Sequence, residues 1–102
     1  MIQIKYKESK DRYRLIVDGH AGYAEIGQDI VCSAFSMLWQ NLVFSLEEIA
    51  GNVPELYSDG NRQIMIIDNT RASNTAEVLV KSFLIGVASL ENSYPNYVNY
   101  SV

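Results

Sequence analysis

Residues 2–18 read IQIKYKESKDRYRLIVD, and their alternation decides the fold class. Over residues 2–7, Ile2, Ile4 and Tyr6 alternate with polar neighbours, the period-two pattern of a strand with one buried face. Residues 12–19 repeat the pattern with Tyr13, Leu15 and Val17. The polar run Glu8-Ser9-Lys10-Asp11 between them is a turn, so the two runs predict a hairpin and with it an antiparallel sheet.

Outward from that hairpin, the glycine-punctuated segment 19–28 has no steady period and reads as a loop. From Ile30 to about Ala50 there is neither Gly nor Pro, and apolar residues recur at helical spacing at Ala34, Leu38, Leu42 and Ile49. Asp29 stands at the N-cap position and Gly51 where the helix should stop. Phe35, Met37, Trp39, Val43, Phe44 and Leu46 make this helix apolar on most of its circumference. Such a helix needs burial on more than one side, which in so short a chain favours a dimer. After Pro54, ELYSDGNRQIMIID predicts two short strands around Asp59-Gly60-Asn61. Residues 73–92 predict a second helix, with Asn74 and Glu77 in capping-box spacing, and YVNYSV is expected to close the chain as a strand. The order ββαββαβ predicts an α+β layer fold: two helices on a mostly antiparallel sheet, in one domain spanning 1–102.

The composition, 48% hydrophobic and 20% charged, is that of a globular protein. Its net charge of −4 argues against a general nucleic-acid binder, so no direct nucleic-acid partner is expected, and it suits a basic peptide partner better. Lys5, Lys7, Lys10, Arg12 and Arg14 are five of the eight basic residues, diluted by Glu8 and Asp11 into a solvated hairpin edge. A single cysteine rules out an internal disulfide. No signal-like apolar run opens the chain and no stretch approaches ~18 uncharged apolar residues, so the expected setting is the cytoplasm with no membrane span.

The loop and helix start hold the only histidine, His20, and the only cysteine, Cys32. Capped by Asp29, Cys32 falls in the first helical turn, where unpaired N–H groups and the macrodipole favour an anionic sulfur and would also face an oxyanion. His20 would supply a cationic partner to that sulfur and the proton for a leaving amine. Ser36 lies one turn beyond Cys32 on the same face, within reach of a thiolate or a substrate carbonyl. Gly19, Gly22 and Gly27 give the connecting loop backbone freedom. A bland reading stands beside this one: lone helical cysteines are commonly small buried hydrophobes, and a lone loop histidine is commonly structural. One His and one Cys are too few for a zinc site, and no phosphate-binding glycine motif occurs, so no metal is expected.

The run Gly19-His20-Ala21, Gly27-Gln28-Asp29-Ile30-Val31-Cys32, Ala34 and Ser36 resembles the signature of the ribosomal-processing cysteine protease (Prp) family. The order of elements resembles that family along nearly the whole chain. The resemblance implies a cytoplasmic, cofactor-free, homodimeric endopeptidase that removes a short N-terminal extension from a large-subunit ribosomal protein precursor. Its catalytic pair would be Cys32 and His20, supported by Gly19, Asp29 and Ser36. The loop 21–28, with Gly22, Tyr23 and Gly27, would correspond to a mobile substrate-binding segment. Ser33 departs from the small apolar residue of the family pattern, and Phe35 and Trp39 are bulkier than expected. A phage-type protease acting on capsid or scaffold protein fits the same motif. A third reading, a non-catalytic ribosome-associated binding module, would use the acidic surface and exposed tyrosines at 94, 97 and 100.

Overall fold

The computed structural model describes residues 1–25, 28–69 and 74–101. The element order is β1 (Ile2–Glu8), β2 (Arg12–Asp18), α1 (Ile30–Glu48), β3 (Glu55–Asp59), β4 (Arg62–Asp68), α2 (Asn74–Ser93) and β5 (Val98–Ser101), the expected ββαββαβ. The strands form one five-stranded sheet in the order β3-β4-β2-β1-β5. All neighbours are antiparallel except β1 and β5, which run parallel. That parallel pair follows from the crossover through α2.

Alternation sets the faces. Ile2, Ile4 and Tyr6 of β1, Tyr13, Leu15 and Val17 of β2, and Met65 and Ile67 of β4 point to one side and are buried beneath the two helices. Their neighbours, among them Gln3, Lys5, Lys7 and Arg14, face outward and are exposed. The two-residue loop Gly60-Asn61 joins β3 to β4; Gly60 has φ +61° while Asn61 does not have positive φ, as a type II′ hairpin requires.

Helix α1 buries Val31, Phe35, Trp39, Leu42 and Leu46. This corrects the expected face: of Ala34, Leu38, Leu42 and Ile49, only Leu42 is fully buried, while Ala34 and Ile49 are exposed. With apolar residues on nearly every side, spacing alone does not select a face. The aromatic rings do, for Phe35 and Trp39 lock against Phe83 of α2 at centroid distances of 6.2 Å each. By length and composition α1 would also pass for a membrane span, but its buried residues belong to the core. It ends just before Gly51, where Asn52 N–H turns back to Leu46 O at 2.9 Å. Asn74 is the first helical residue of α2, so the position capping it lies outside the described residues.

Candidate active site

The site forms at the end of the sheet where β2 stops, β1 and β4 begin, and α1 starts. Gly19 leaves β2 with φ +89°, and a Cβ there would stand 2.6 Å from the carbonyl oxygen of Met1. Its N–H donates to Asn61 O, 3.2 Å away in the β3–β4 turn. Only glycine satisfies that conformation and that approach together. The chain therefore turns sharply and carries His20 to that end of the sheet.

Asp29 is buried, and its carboxylate organises the other side. Oδ1 accepts from Val31 N–H at 3.1 Å and from Cys32 N–H at 2.9 Å, as an N-cap should. Oδ2 accepts from Tyr23 N–H at 3.1 Å, tying the loop to the helix start. The bond from Cys32 N–H, chiefly, holds this carboxyl below its ordinary range; partial desolvation opposes it, and the loop amides of Tyr23 and Ala24 add to the lowering.

This cap changes one expectation. The amides of Val31 and Cys32 are not open to an oxyanion, because Asp29 occupies both, and Ser33 N–H donates to Asp29 O at 3.1 Å. The donor aimed at the sulfur comes from the loop instead: Ala21 N–H lies 3.3 Å from Cys32 Sγ. Ala21 itself is buried, which fixes that amide.

His20, exposed, and Cys32, half-buried, line one cavity of about 300 Å³ together with Gly19 and Ser36. Phe35 and Trp39 contribute apolar wall, and Gln40, Asn61 and Gln63 contribute amide groups. The sequence reading missed these amide residues; the turn signal at Asp59-Gly60-Asn61 was legible, but not that it folds beside His20. A larger cavity of about 560 Å³, beside Asp11, Asn52 and Asp68, contains neither His20 nor Cys32. Among the described residues no cluster of His, Cys, Asp and Glu is arranged to hold a metal.

Gly22 and Tyr23 do not line the cavity. Tyr23 turns toward the α2–β5 connection and sets its ring edge-on to Tyr94 at 5.7 Å and to Tyr97 at 5.2 Å. Gly27 lies outside the described residues. The tyrosines expected at the surface, Tyr94, Tyr97 and Tyr100, are half-buried and pack against the core. Burial and the nearby Glu91 push the Tyr100 phenol up.

Residues 1–99 match the Peptidase_Prp family, described as cysteine protease Prp. The chain belongs to this family. It is thus a cysteine protease, and the Prp fold covers the chain. It is 27% identical over 81 residues to the ribosomal processing cysteine protease Prp of Staphylococcus aureus, spanning 78% of this chain and 76% of that protein. A crystal structure of the S. aureus protease with a covalently linked product peptide superposes with TM-score 0.85 at 22% identity, covering 99% of this chain and all of that one. A Streptococcus mutans protein superposes with TM-score 0.74 at 34% identity, covering 99% and 92% of the two chains.

Proposed function

We propose that this protease removes the N-terminal extension of a large-subunit ribosomal protein precursor, with Cys32 as nucleophile and His20 as its base. The observation that carries the assignment is that His20 and Cys32 share one cavity while a fixed loop amide donates to the Cys32 sulfur. The reading of the substrate is supported by the name of the S. aureus relative, a ribosomal processing protease. Cytoplasmic action suits a lone thiol that must stay reduced.

In this mechanism His20 takes the thiol proton and Cys32 Sγ attacks the scissile carbonyl carbon. As the C–S bond forms, the sulfur gives up its charge and becomes a much weaker hydrogen-bond acceptor. Ala21 N–H is then free for the adjacent oxyanion, the task that the capped amides of α1 cannot perform. His20 returns the proton to the amine as the C–N bond breaks, and water, deprotonated by the same imidazole, releases the acyl group and restores the thiol. The chain's own residues supply every proton transfer, so the mechanism calls for no cofactor. Gly19 sets the direction of His20, Asp29 fixes the helix start and the loop, and Ser36 faces the substrate from the cavity wall. The whole chain, 1–102, serves as one catalytic domain.

The active unit in this reading is a homodimer. Its support is an apolar stripe on the outer side of the helix layer, where Met37, Phe44, Val78 and Ile85 are 64%, 57%, 62% and 72% exposed. The function is tested by incubating wild type, Cys32→Ala and His20→Ala proteins with an extension-bearing ribosomal protein precursor and reading product masses. Wild type should trim the precursor, and neither variant should do so at a comparable rate. Cleavage by Cys32→Ala as fast as wild type would refute the assignment.

A further inference from the structure

The net charge of −4 is not spread evenly over the fold. Strict alternation in β1 and β2 puts Lys5, Lys7 and Arg14 on the sheet face that no helix covers, with Lys7 directly opposite Arg14. Among the described residues none of the three has an ion pair; Arg62 is paired with Asp18 at 3.9 Å, and Lys81 with Glu77 on α2. The acidic residues of this face are Asp18, held by Arg62, and Glu55, Asp59 and Asp68 toward β3 and β4. The β1–β2 half is therefore cationic. A groove of about 260 Å³ runs along it, with Lys5 and Lys7 on its wall.

The register adds a second component. Lys5 pairs with Ile16, Ile16 with Ile64, and Ile64 with Tyr57, so one row crosses four strands from a free cation to a tyrosine ring 54% exposed at the sheet edge. Strand spacing makes that row about 14 Å long. The face offers a folded acidic protein little to bury, since Ile16, Ile64 and Ile66 are already half-buried and lysine is poor interface-core material. The cations of β1 and β2 suit successive phosphates, and Tyr57, whose hydroxyl donates to Glu55 Oε2 at 3.3 Å, presents its ring to a single base at the end of that track.

We infer that the open sheet face, through Lys5, Lys7 and Arg14 with Tyr57 as stacking platform, docks a single-stranded RNA segment. The choice of RNA over DNA rests on the ribosomal reading above. The surface lies on the opposite side of the sheet from the His20–Cys32 cavity, so a protein engaged there keeps its site open to peptide.

The probe is a fluorescein-labelled single-stranded RNA oligonucleotide, followed by anisotropy with intact protein. Three phosphate contacts predict that affinity falls about 20-fold between ~50 and ~200 mM salt. Lys5→Glu/Lys7→Glu should abolish binding, and Tyr57→Ala should weaken it on the order of tenfold. Both variants should keep wild-type alkylation rates at Cys32, which shows that they are folded. No binding at low salt, or charge-reversed protein within twofold of wild type, would overturn the inference. Equal binding of a polyglutamate peptide of the same charge would also overturn it and assign the face to an acidic protein. Precursor cleavage is measured on the same preparations: cleavage without RNA binding defeats only this inference, and RNA binding without cleavage defeats the ribosomal reading.

Discussion

Ala21 N–H lies 3.3 Å from Cys32 Sγ, so the residue beside the lone histidine is bonded to the lone cysteine across eleven positions of sequence. The contact exists because Asp29 holds both partners: one carboxylate oxygen caps the turn that carries Cys32, the other grips Tyr23, two residues beyond Ala21. The two oxygens have separable tasks, and amide chemistry separates them. In Asp29→Asn one oxygen still accepts from the helix start, but the NH2 group cannot accept from Tyr23.

The expected outcome is therefore graded. Asp29→Ala should lower Tm by roughly 4–8 °C at neutral pH, the range for a lost cap in a chain of this size, and Asp29→Asn by clearly less. Both should slow peptide cleavage, since both free the loop. The acid limb gives a sign check. The folded-state carboxyl sits below the ordinary value of 3.8, so its stabilisation is complete above that pH and is lost as pH falls through the lowered value. The Tm gap between wild type and Asp29→Ala should hold steady near neutrality and close in strong acid, as read by calorimetry from pH ~7 to ~2. A gap that widens in acid would refute the role of the charge.

Gly19→Ala should damage the site more than any other single methyl group. A left-handed backbone at an L-residue costs about 1–2 kcal/mol. Here the added Cβ also meets a backbone carbonyl that no rotamer change can move, 2.6 Å away. Relief would shift Met1 or the turn that carries His20. Cleavage should fall sharply at temperatures well below the variant's Tm, measured alongside circular dichroism. Wild-type turnover by folded Gly19→Ala would contradict this.

The strands were legible in the sequence because a period of two, with Ile2, Ile4, Tyr6 against Tyr13, Leu15, Val17, leaves one choice of face. The Asp29 cap and Cys32 in the first helical turn were legible because capping chemistry is local. Features that depend on distant packing were not. The buried face of α1 was decided by Phe83, far along the chain, and the amides of Asn61 and Gln63 reach the site through the β2–β4 pairing, which sets Gln63 opposite Val17. The occupied amides of Val31 and Cys32 illustrate a different failure: an aspartate at the cap implies that it consumes those donors, which the expected oxyanion role overlooked. The cationic β1–β2 half of the open sheet face is invisible in a net charge of −4.

The proposed dimer carries a prediction of its own. Met37 and Phe44 lie seven residues apart on the outward side of α1, where a second copy would cover them. Wild type should scatter light as a species of twice 11.5 kDa, and Met37→Glu/Phe44→Glu as a monomer with unchanged helicity. A wild-type mass of one chain at micromolar concentration would remove the dimer from the account.

Tyr23 makes the last prediction, because its ring is held where its loop matters. Its edge-on contacts with Tyr94 and Tyr97 bind the segment 21–25 to the α2–β5 connection, and that segment carries the amide on the Cys32 sulfur. Aromatic pairs of this kind contribute about 0.5–1.5 kcal/mol each. Losing two should raise the fraction of molecules with a displaced loop on the order of tenfold. Tyr23→Ala should thus alkylate faster with iodoacetamide at Cys32 by about that factor, while Tyr23→Phe, which keeps the ring, should stay near wild type. Tyr94→Ala should move the rate in the same direction by a smaller amount, since one of the two contacts remains. If Tyr23→Ala reacted no faster than wild type, the aromatic contacts would be packing alone, and access to the thiol would be governed by the Asp29 bond to the loop.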